Sequence, residues 1–419
     1  MRETTFSNAI VFEQLPAIRK SLRIAVVTET YPPEVNGVAM TVAHFIEGLH
    51  KRNHEVQLVR PRQDSSDCAG NHERFHEVLM RGLPIPRYPS LKMGLPAKKS
   101  LVQLWTMHRP DLVHIVTEGP LGWSALQAAL QLKLPVTSDF RTNFHAYTRY
   151  YGISWLKKPI AAYLRKFHNR TLLTMVPTEA MRSDLAAIGF RNLRVVARGV
   201  DTRMFNPTRR SEALRASWGV APGDTVVIHV GRMAPEKNLD VLLMAFDAMR
   251  LRHPRARQVF VGDGPGVSIL RSRCPDAVFA GTRTGEDLAT HYASGDVFLF
   301  PSLTETFGNV TIEAMASGLA IVAYGYAAAA AHITHGRNGL LAQYNKADEF
   351  VRLAEALISD PGHIGNLGAA ARLAAEALDW DRVVVQLETL FLMAASGGLN
   401  LLHMEPVQAT TTGAHVMRF

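Results

Sequence analysis

Short apolar runs alternate along the chain with segments whose apolar residues recur every three to four positions. The runs have the length of strands that are buried on both faces of a parallel sheet, and the segments between them have helical spacing. In the first half the runs are Ile24–Val27, Val56–Val59, Leu112–Val116, Pro135–Ser138, Leu172–Val176 and Arg194–Val196. In the second half they are Thr225–Val230, Gln258–Val261, Val278–Ala280, Val297–Phe300 and Ala320–Ala323. This alternation predicts an α/β fold with parallel sheets covered by helices.

The alternation is interrupted once, by the polar and basic segment Arg198–Trp218, which contains Pro207. We therefore predict two Rossmann-like domains that face each other across a cleft, joined by this segment. The predicted parts are an N-terminal extension (1–22), a first domain (23–200), a second domain (201–378), a helix that returns to the first domain (379–396) and a tail (397–419). Open parallel sheets bind ligands at the carboxyl ends of their strands, so the segments that follow the strands hold the candidate site residues.

The composition excludes several classes of protein. Apolar residues make up 47% of the 419 residues, which is too many for a disordered chain. No apolar run is long enough to cross a membrane, and the first residues lack a secretory leader, so we expect a cytoplasmic protein. The two cysteines, Cys68 and Cys274, are far apart and predict neither a disulfide framework nor a zinc site.

Positive charge is concentrated in the first half of the chain. Residues 1–200 hold 27 Lys and Arg against 15 Asp and Glu, whereas residues 201–419 hold 19 against 22. Such a surplus predicts contact with something anionic, although a solvated basic surface would show the same counts. No nucleic-acid-binding motif accompanies the charge, so we expect no nucleic-acid partner. Basic residues near the aromatic segments 155–159 and 163–167, together with Lys92, Lys98 and Lys99, favour an anionic membrane surface instead.

The strongest candidate segment, 301–313, follows the run Val297–Phe300 and opens a helix near Gly308. A helix N-terminus offers free N–H groups and partial positive charge, and glycine lets a phosphate approach the backbone closely. Glu305 and Glu313 flank this turn, and carboxylates accept hydrogen bonds from sugar and ribose hydroxyls. The alternative is a loop followed by a helix with a charged face.

Three further segments follow strands. In 231–238, Gly231 precedes Arg232 and Lys237, two cations that would stabilise charge on a departing diphosphate. Gly264 lies in a tight turn, Gly-Asp-Gly-Pro, and Gly37 ends the loop between the first strand and the first helix. An exposed basic loop and simple turns are the alternatives for these segments.

These segments, in this order, resemble the retaining glycosyltransferases of family four, which have the GT-B fold. The resemblance covers about residues 22–395 and includes the spacing of Glu305 and Glu313 and the Arg-Gly-Val-Asp segment at 198–201. It implies that Arg232 and Lys237 hold the donor diphosphate, and that Glu305 holds the transferred sugar and Glu313 the ribose. The residues whose backbone N–H groups would bind phosphate are Gly308, Asn309 and Val310. It also implies retention of configuration, no metal and no cofactor beyond the nucleotide sugar.

Segments 135–152 and 83–89 look most similar to enzymes that transfer mannose or related sugars to lipids. The expected donor is GDP-mannose, with UDP-sugars as the alternative, and the expected acceptor is a lipid or glycan. The family usually has a histidine where this chain has Arg141, which cannot accept a proton but could neutralise a donor phosphate or an acidic sugar. His145 could contribute instead, although a structural role is the commoner case for a single histidine.

Other functions compatible with these residues are a binding protein that has lost catalysis and a nucleotide-sugar epimerase. Arg141 is the feature that invites the first, and the fold itself permits the second. The presence of Glu305, Glu313, Arg232 and Lys237 together favours transfer. No residue is an obvious nucleophile, so attack of the acceptor from the face of the departing diphosphate is favoured over a covalent intermediate.

Overall fold

The computed structural model describes residues 21–32, 34, 37–85, 88–141, 157–305 and 307–397. The first half of the chain forms an eight-stranded sheet and a separate two-stranded hairpin. Its strands are β1 (Arg23–Val27), β2 (Glu55–Pro61), β3 (Asn71–His72), β4 (Phe75–Met80), β5 (Gly82–Ile85), β6 (Tyr88–Gly94), β7 (Leu112–Ile115), β8 (Val136–Asp139), β9 (Leu173–Val176) and β10 (Leu193–Val195). Its helices are α1 (Gly37–Lys51), α2 (Lys98–Met107), α3 (Pro120–Gln131), α4 (Lys157–His168) and α5 (Glu179–Ala187).

The second half forms a six-stranded sheet. Its strands are β11 (Val226–Val230), β12 (Arg257–Val261), β13 (Val278–Gly281), β14 (Val297–Phe300), β15 (Ala320–Tyr324) and β16 (Leu340–Ala342). The helices that follow β10 are α6 (Glu212–Ser217), α7 (Leu239–Arg252), α8 (Val267–Arg273), α9 (Gly285–Ala293), α10 (Asn309–Ala316), α11 (Ala327–His332), α12 (Ala347–Ile358), α13 (Pro361–Glu376) and α14 (Trp380–Ala395). Short 3-10 turns occupy Pro207–Arg209 and Pro235–Lys237.

Both sheets have the doubly wound strand order expected from the sequence. The first runs β10-β9-β8-β7-β1-β2-β4-β3 and the second runs β13-β12-β11-β14-β15-β16. Each neighbouring pair is parallel except β3 with β4, which is antiparallel at the edge. The carboxyl ends of β1 and β7, and those of β11 and β14, are therefore adjacent and bring the loops that follow them together. The predicted α/β fold with two parallel sheets is confirmed.

The hydrophobic pattern missed the strands β3, β4, β5, β6 and β16. In β4 the apolar residues are interrupted by His76 and Glu77, because this strand lies near the sheet edge and is only partly buried. The hairpin strands contain Pro84 and Pro89, which argue against a strand when the sequence is considered alone. Their pairing is antiparallel and outside the main sheet, where a missing N–H donor is tolerated.

The segment that interrupts the alternation is not a loose linker. Phe205 and Trp218 are buried in the core of the second half, around β11 and α9. Val200 donates its N–H to the carbonyl of Leu378 (2.9 Å) and forms an isolated parallel bridge with Asp379. The chain therefore passes between its halves twice at neighbouring points. The exact domain boundaries stay predictions.

The last described helix, α14, packs against the first half of the chain. Its Val384, Leu387 and Phe391 are buried in one core with residues of β1 and α1. Glu388 accepts a hydrogen bond from Nε of Arg52 (2.5 Å) and contacts Nε2 of His54 at 3.0 Å. A partly buried carboxylate with two such partners fixes the position of this helix on the first sheet.

Candidate active site

The turn between β14 and α10 is held in the geometry of an anion site. Gly308 caps the helix with φ of +90°, a left-handed conformation that glycine adopts without steric cost. Phe307 is 1% exposed and anchors the turn in the core. The first N–H groups of α10 have no partner within the helix and carry partial positive charge. Gly308, Asn309 and Val310 thus lie where the sequence places a phosphate contact.

Lys237 and Glu305 come together although 68 residues separate them. Lys237 Nζ donates to Glu305 Oε1, and Ser302 Oγ donates to the same oxygen at 2.7 Å. The Lys237 ammonium also lies 5.3 Å from the ring centre of Phe300. The carboxyl ends of β11 and β14, which are neighbours in the sheet, carry these two side chains to one point. A cation suited to a phosphate and a carboxylate suited to sugar hydroxyls are therefore adjacent.

Glu313 lies one turn into α10, on the side of the helix that faces α9. Its Oε2 accepts a hydrogen bond from the hydroxyl of Tyr292 (3.0 Å). Desolvation raises the pKa of Glu313 to about 7, and the Tyr292 hydrogen bond opposes that increase. The carboxyl group thus lies in an environment of low polarity, where a hydrogen bond from a hydroxyl is stronger than in water.

Backbone contact between two loops explains the glycines near β11 and β12. A Cβ on Gly264, whose φ is +154°, would lie 2.5 Å from the carbonyl oxygen of Met233. The N–H of Met233 in turn donates to the carbonyl of Asp263 (2.9 Å). Gly231 has φ of +145° with more space around it. Arg232, between these positions, has an exposed side chain at the surface of the loop.

In the first half, Arg141 is 2% exposed and forms an ion pair with Asp139. Its Nε donates to Asp139 Oδ2 at 2.7 Å, and its guanidinium lies 5.0 Å from the ring centre of Phe45. Burial opposes ionisation of Asp139, but Arg141 and then His114 hold its pKa well below the ordinary range. His145, the second candidate in this region, lies outside the described residues.

Two residues that contact predicted site residues, Asp139 and Arg198, were not predicted from the sequence. Asp139 is fully buried at the end of β8, two residues before Arg141, and residues two apart on an extended chain lie on the same side. That spacing could have revealed the pair. Arg198 was assigned only to the interdomain segment. Its NH1 donates to Asn309 Oδ1 (3.3 Å), and a Cβ on Gly37 would lie 2.7 Å from the same nitrogen.

Comparison with known proteins identifies the family. The model described as Glycosyl transferases group 1 matches residues 224–360, and that described as Glycosyltransferase Family 4 matches residues 35–204. A GDP-mannose-dependent alpha-mannosyltransferase of Mycobacterium tuberculosis is 36% identical over 326 residues, which cover 76% of this chain and 83% of the relative. The chain belongs to glycosyltransferase family 4. A sulfoquinovosyl transferase of Arabidopsis thaliana is 33% identical to this glycosyltransferase, over 87% of the chain and 72% of that protein.

The solved structures agree on the fold. Sucrose-phosphate synthase from Thermosynechococcus elongatus superposes with a TM-score of 0.71 at 18% identity, covering 90% of this glycosyltransferase and 99% of that chain. The family and the GT-B fold expected from the sequence are confirmed. So is the enzyme class, a transferase that moves a sugar from a nucleotide sugar to a lipid or glycan acceptor.

Two further features of the glycosyltransferase concern metal binding and membrane insertion. Within the part of the chain that the structure describes, no cluster of three or more His, Cys, Asp or Glu could hold a metal ion. Among the same residues, none of the helices combines the length and apolar character needed to cross a lipid bilayer.

Proposed function

We propose that this glycosyltransferase transfers mannose from GDP-mannose to a lipid acceptor at a membrane surface, with retention of configuration and without a metal ion. The observation that carries the donor site is the contact between Lys237 and Glu305. In a nucleotide sugar the distal phosphate is bonded directly to the reacting carbon. A phosphate-binding cation and a sugar-binding carboxylate must therefore be neighbours, as they are here.

Different residues bind the diphosphate, the sugar and the ribose of the donor. The N-terminus of α10 faces the diphosphate through the backbone N–H groups of residues 308–310, and Lys237 neutralises the charge that develops on the departing phosphate. Arg232 reaches the diphosphate from its exposed loop when the donor is present. Glu305 accepts hydrogen bonds from the sugar hydroxyls, and Glu313 accepts one from the ribose. Gly231 and Gly264 keep the two donor-side loops in contact, and Gly37 contributes its backbone from the opposite half.

The acceptor hydroxyl attacks from the same face that the diphosphate leaves, and its proton passes to the departing phosphate oxygen. Arg141, already paired with Asp139, takes no part as a base and instead contributes positive charge near the reacting centre. Mannose and GDP are chosen because GDP-mannose is named in the mannosyltransferase relatives. A UDP-linked sugar is the alternative donor.

A basic surface on the first half supports a membrane location. The helices α2, α3 and α4 share one core, which places them on the same face of the first sheet. Exposed cations on this face are Lys98, Lys99, Lys158, Arg165, Lys166 and Arg170. Each basic residue near an anionic bilayer contributes about 1 kcal/mol to binding. A peripheral enzyme would thereby approach a lipid acceptor from the cytoplasmic side.

The proposal is tested by incubating the protein with GDP-mannose or UDP-glucose and anionic vesicles that contain diacylglycerol and phosphatidylinositol. Mass spectrometry of the lipids and the one-bond C1–H1 coupling of the product report transfer and anomeric configuration. We expect an α-mannolipid whose yield is the same in EDTA and in Mg²⁺. Nucleotide binding without product would support a silent binding protein instead, and conversion of the nucleotide sugar without acceptor would support an epimerase.

A further inference from the structure

Arg198 lies where the two halves of the molecule meet. It follows β10, is 5% exposed, and its NH1 donates to Oδ1 of Asn309, the first residue of α10. The same nitrogen lies against Gly37, the first residue of α1, so closely that a Cβ there would be 2.7 Å away. One guanidinium group therefore contacts the N-termini of two helices that cover different sheets.

Among the described residues, no carboxylate forms an ion pair with this buried cation, although Asp139 and Glu305 lie near enough to raise its pKa. Arg141 is paired with Asp139, and Lys237 is paired with Glu305, but Arg198 meets only an amide oxygen and the ring of Phe307, 5.7 Å away. Within the described part of the chain, the Nε of Arg198 has no hydrogen-bond partner. A buried charge without an ion-pair partner destabilises the folded state. The arrangement therefore favours an anion that comes from outside the protein.

Neighbouring charges strengthen that conclusion. Burial, and then the charge of Arg141, lower the pKa of Arg198 to about 9, so the guanidinium group stays protonated near neutral pH. NH1 of Arg141 also lacks a hydrogen-bond partner among the residues that the structure describes. Two buried guanidinium groups are thus close enough to affect each other. Asp139, which is paired with Arg141, and Glu305, which is paired with Lys237, oppose the decrease in the pKa of Arg198 but do not cancel it.

We propose that Arg198 binds the distal phosphate of the nucleotide diphosphate donor, as a third cation beside Lys237 and Arg232. The inference rests on the proposed function, because it takes α10 as the diphosphate site. The contact with Asn309 places the guanidinium group at that helix N-terminus, and the missing Cβ of Gly37 leaves room for it. Arg198 would thus bind the donor from the segment that joins the halves.

The test compares Arg198→Gln and Arg198→Lys with wild type. The matched control is Arg191→Gln, an exposed arginine seven residues earlier. Calorimetry measures binding of GDP and GMP, then of UDP and UMP, and thermal unfolding is followed without ligand. We expect Arg198→Gln to weaken diphosphate binding by about tenfold or more and monophosphate binding by about twofold. The Lys variant should fall between, and the control should match wild type.

Thermal unfolding separates this role from a structural one. Because the Gln variant removes an uncompensated buried charge, its midpoint without ligand should equal or exceed that of wild type. The increase in midpoint caused by GDP should shrink, since that increase depends on affinity. The inference would be overturned if both Arg198 variants had a lower unfolding midpoint than wild type and Arg198→Lys bound diphosphate no better than Arg198→Gln. Arg198 would then have a structural role only.

Gly37→Ala provides an independent test. Its methyl group would lie 2.7 Å from NH1 and displace the guanidinium group. We expect this substitution to weaken GDP binding in wild type and to have little further effect in Arg198→Gln, a non-additive pair. Unchanged diphosphate affinity in Arg198→Gln, or full additivity with Gly37→Ala, contradicts the inference. If wild type binds neither GDP nor UDP, the proposed function itself fails, and the inference with it.

Discussion

The two halves of this glycosyltransferase carry their charge in different ways. In the second half, positive and negative residues nearly balance, and the cations that matter lie on tight turns after strands, as Lys237 does. In the first half, a surplus of basic residues is spread over one helical face, while Arg141 is buried and already paired. We propose that the second half binds one small anionic ligand and that the first half faces an extended anionic surface.

The largest expected effect is at Lys237. Replacing it with Ala removes the cation beside Glu305 and should lower kcat by about 10²–10³-fold, as when other preorganised charge stabilisers are removed. The apparent KM for the lipid acceptor should hardly change. The control is Lys346→Ala, an exposed lysine in the same half. Equal turnover of the Lys237 variant and the control would remove Lys237 from the mechanism.

Two partly buried carboxyl groups, one in each half, make the stability of the protein depend on pH. Burial raises the pKa of both Glu29 and Glu313 to about 7 from an ordinary 4.5. The folded state therefore prefers the protonated form, and the stability each contributes is lost as pH rises from about 4.5 to about 7. Relative to Glu313→Gln, wild type should lose up to about 3 kcal/mol of unfolding free energy over that interval.

Glu29→Gln should change the pH dependence in the same direction, since the cause is also burial. The two variants should differ in ligand binding, because only Glu313 is assigned to the ribose. Urea unfolding at a series of pH values measures the first effect, and GDP calorimetry measures the second. If GDP binding were weaker in the Glu29 variant and unchanged in the Glu313 variant, the assignment of the donor site to the second half would be reversed.

A smaller effect is expected from the donor-side glycines. Gly264→Ala places a methyl group 2.5 Å from the Met233 carbonyl oxygen. Apart from its chain neighbours, the nearest atom of the described residues to the methyl group of Gly231→Ala is 3.9 Å away. Both glycines have φ near +150°, so the two substitutions cause similar backbone strain. They differ in the steric clash of the added methyl group. We expect the Gly264 variant to lose about 2 kcal/mol more stability in urea unfolding. Equal losses would show that the two loops separate without cost.

The smallest effect is expected at the basic face. Lys166→Gln should weaken binding to anionic vesicles by about fivefold, which corresponds to about 1 kcal/mol, and the difference should fade at high salt. Arg271→Gln, in the second half, should have no such effect. Co-sedimentation with vesicles of defined phosphatidylserine content measures both. Equal binding by the two variants would argue that the first half does not face the membrane.

How far the sequence predicts this molecule depends on the range of the interactions. Gly308 and Glu313 could be placed because a strand, a turn and a helix that follow each other determine their position locally. The position of Arg198 could not be predicted in this way. Its burial depends on α1 and α10, which are distant from it in sequence, so no local pattern indicates it. The same holds for the Tyr292 contact with Glu313, which joins two helices through side chains alone.

Strands outside the centre of the sheets were also hard to predict from the sequence. The polar residues in β4, which lies next to the edge strand β3, and the prolines in the hairpin β5–β6 hide these elements. A partly buried strand near a sheet edge needs no continuous apolar run, and a two-stranded hairpin does not need every backbone donor. The central strands of both sheets are buried on two faces, and their apolar runs give their positions to within a residue or two.

The proposed function depends most directly on donor binding. Calorimetric titration of the wild-type protein with GDP and with UDP, each in EDTA and in Mg²⁺, tests it without any acceptor. We expect GDP to bind more tightly than UDP, and we expect EDTA to change neither affinity. Binding of GDP only when Mg²⁺ is present, or binding of neither diphosphate, would contradict a donor site formed by the protein's own cations and the N-terminus of α10.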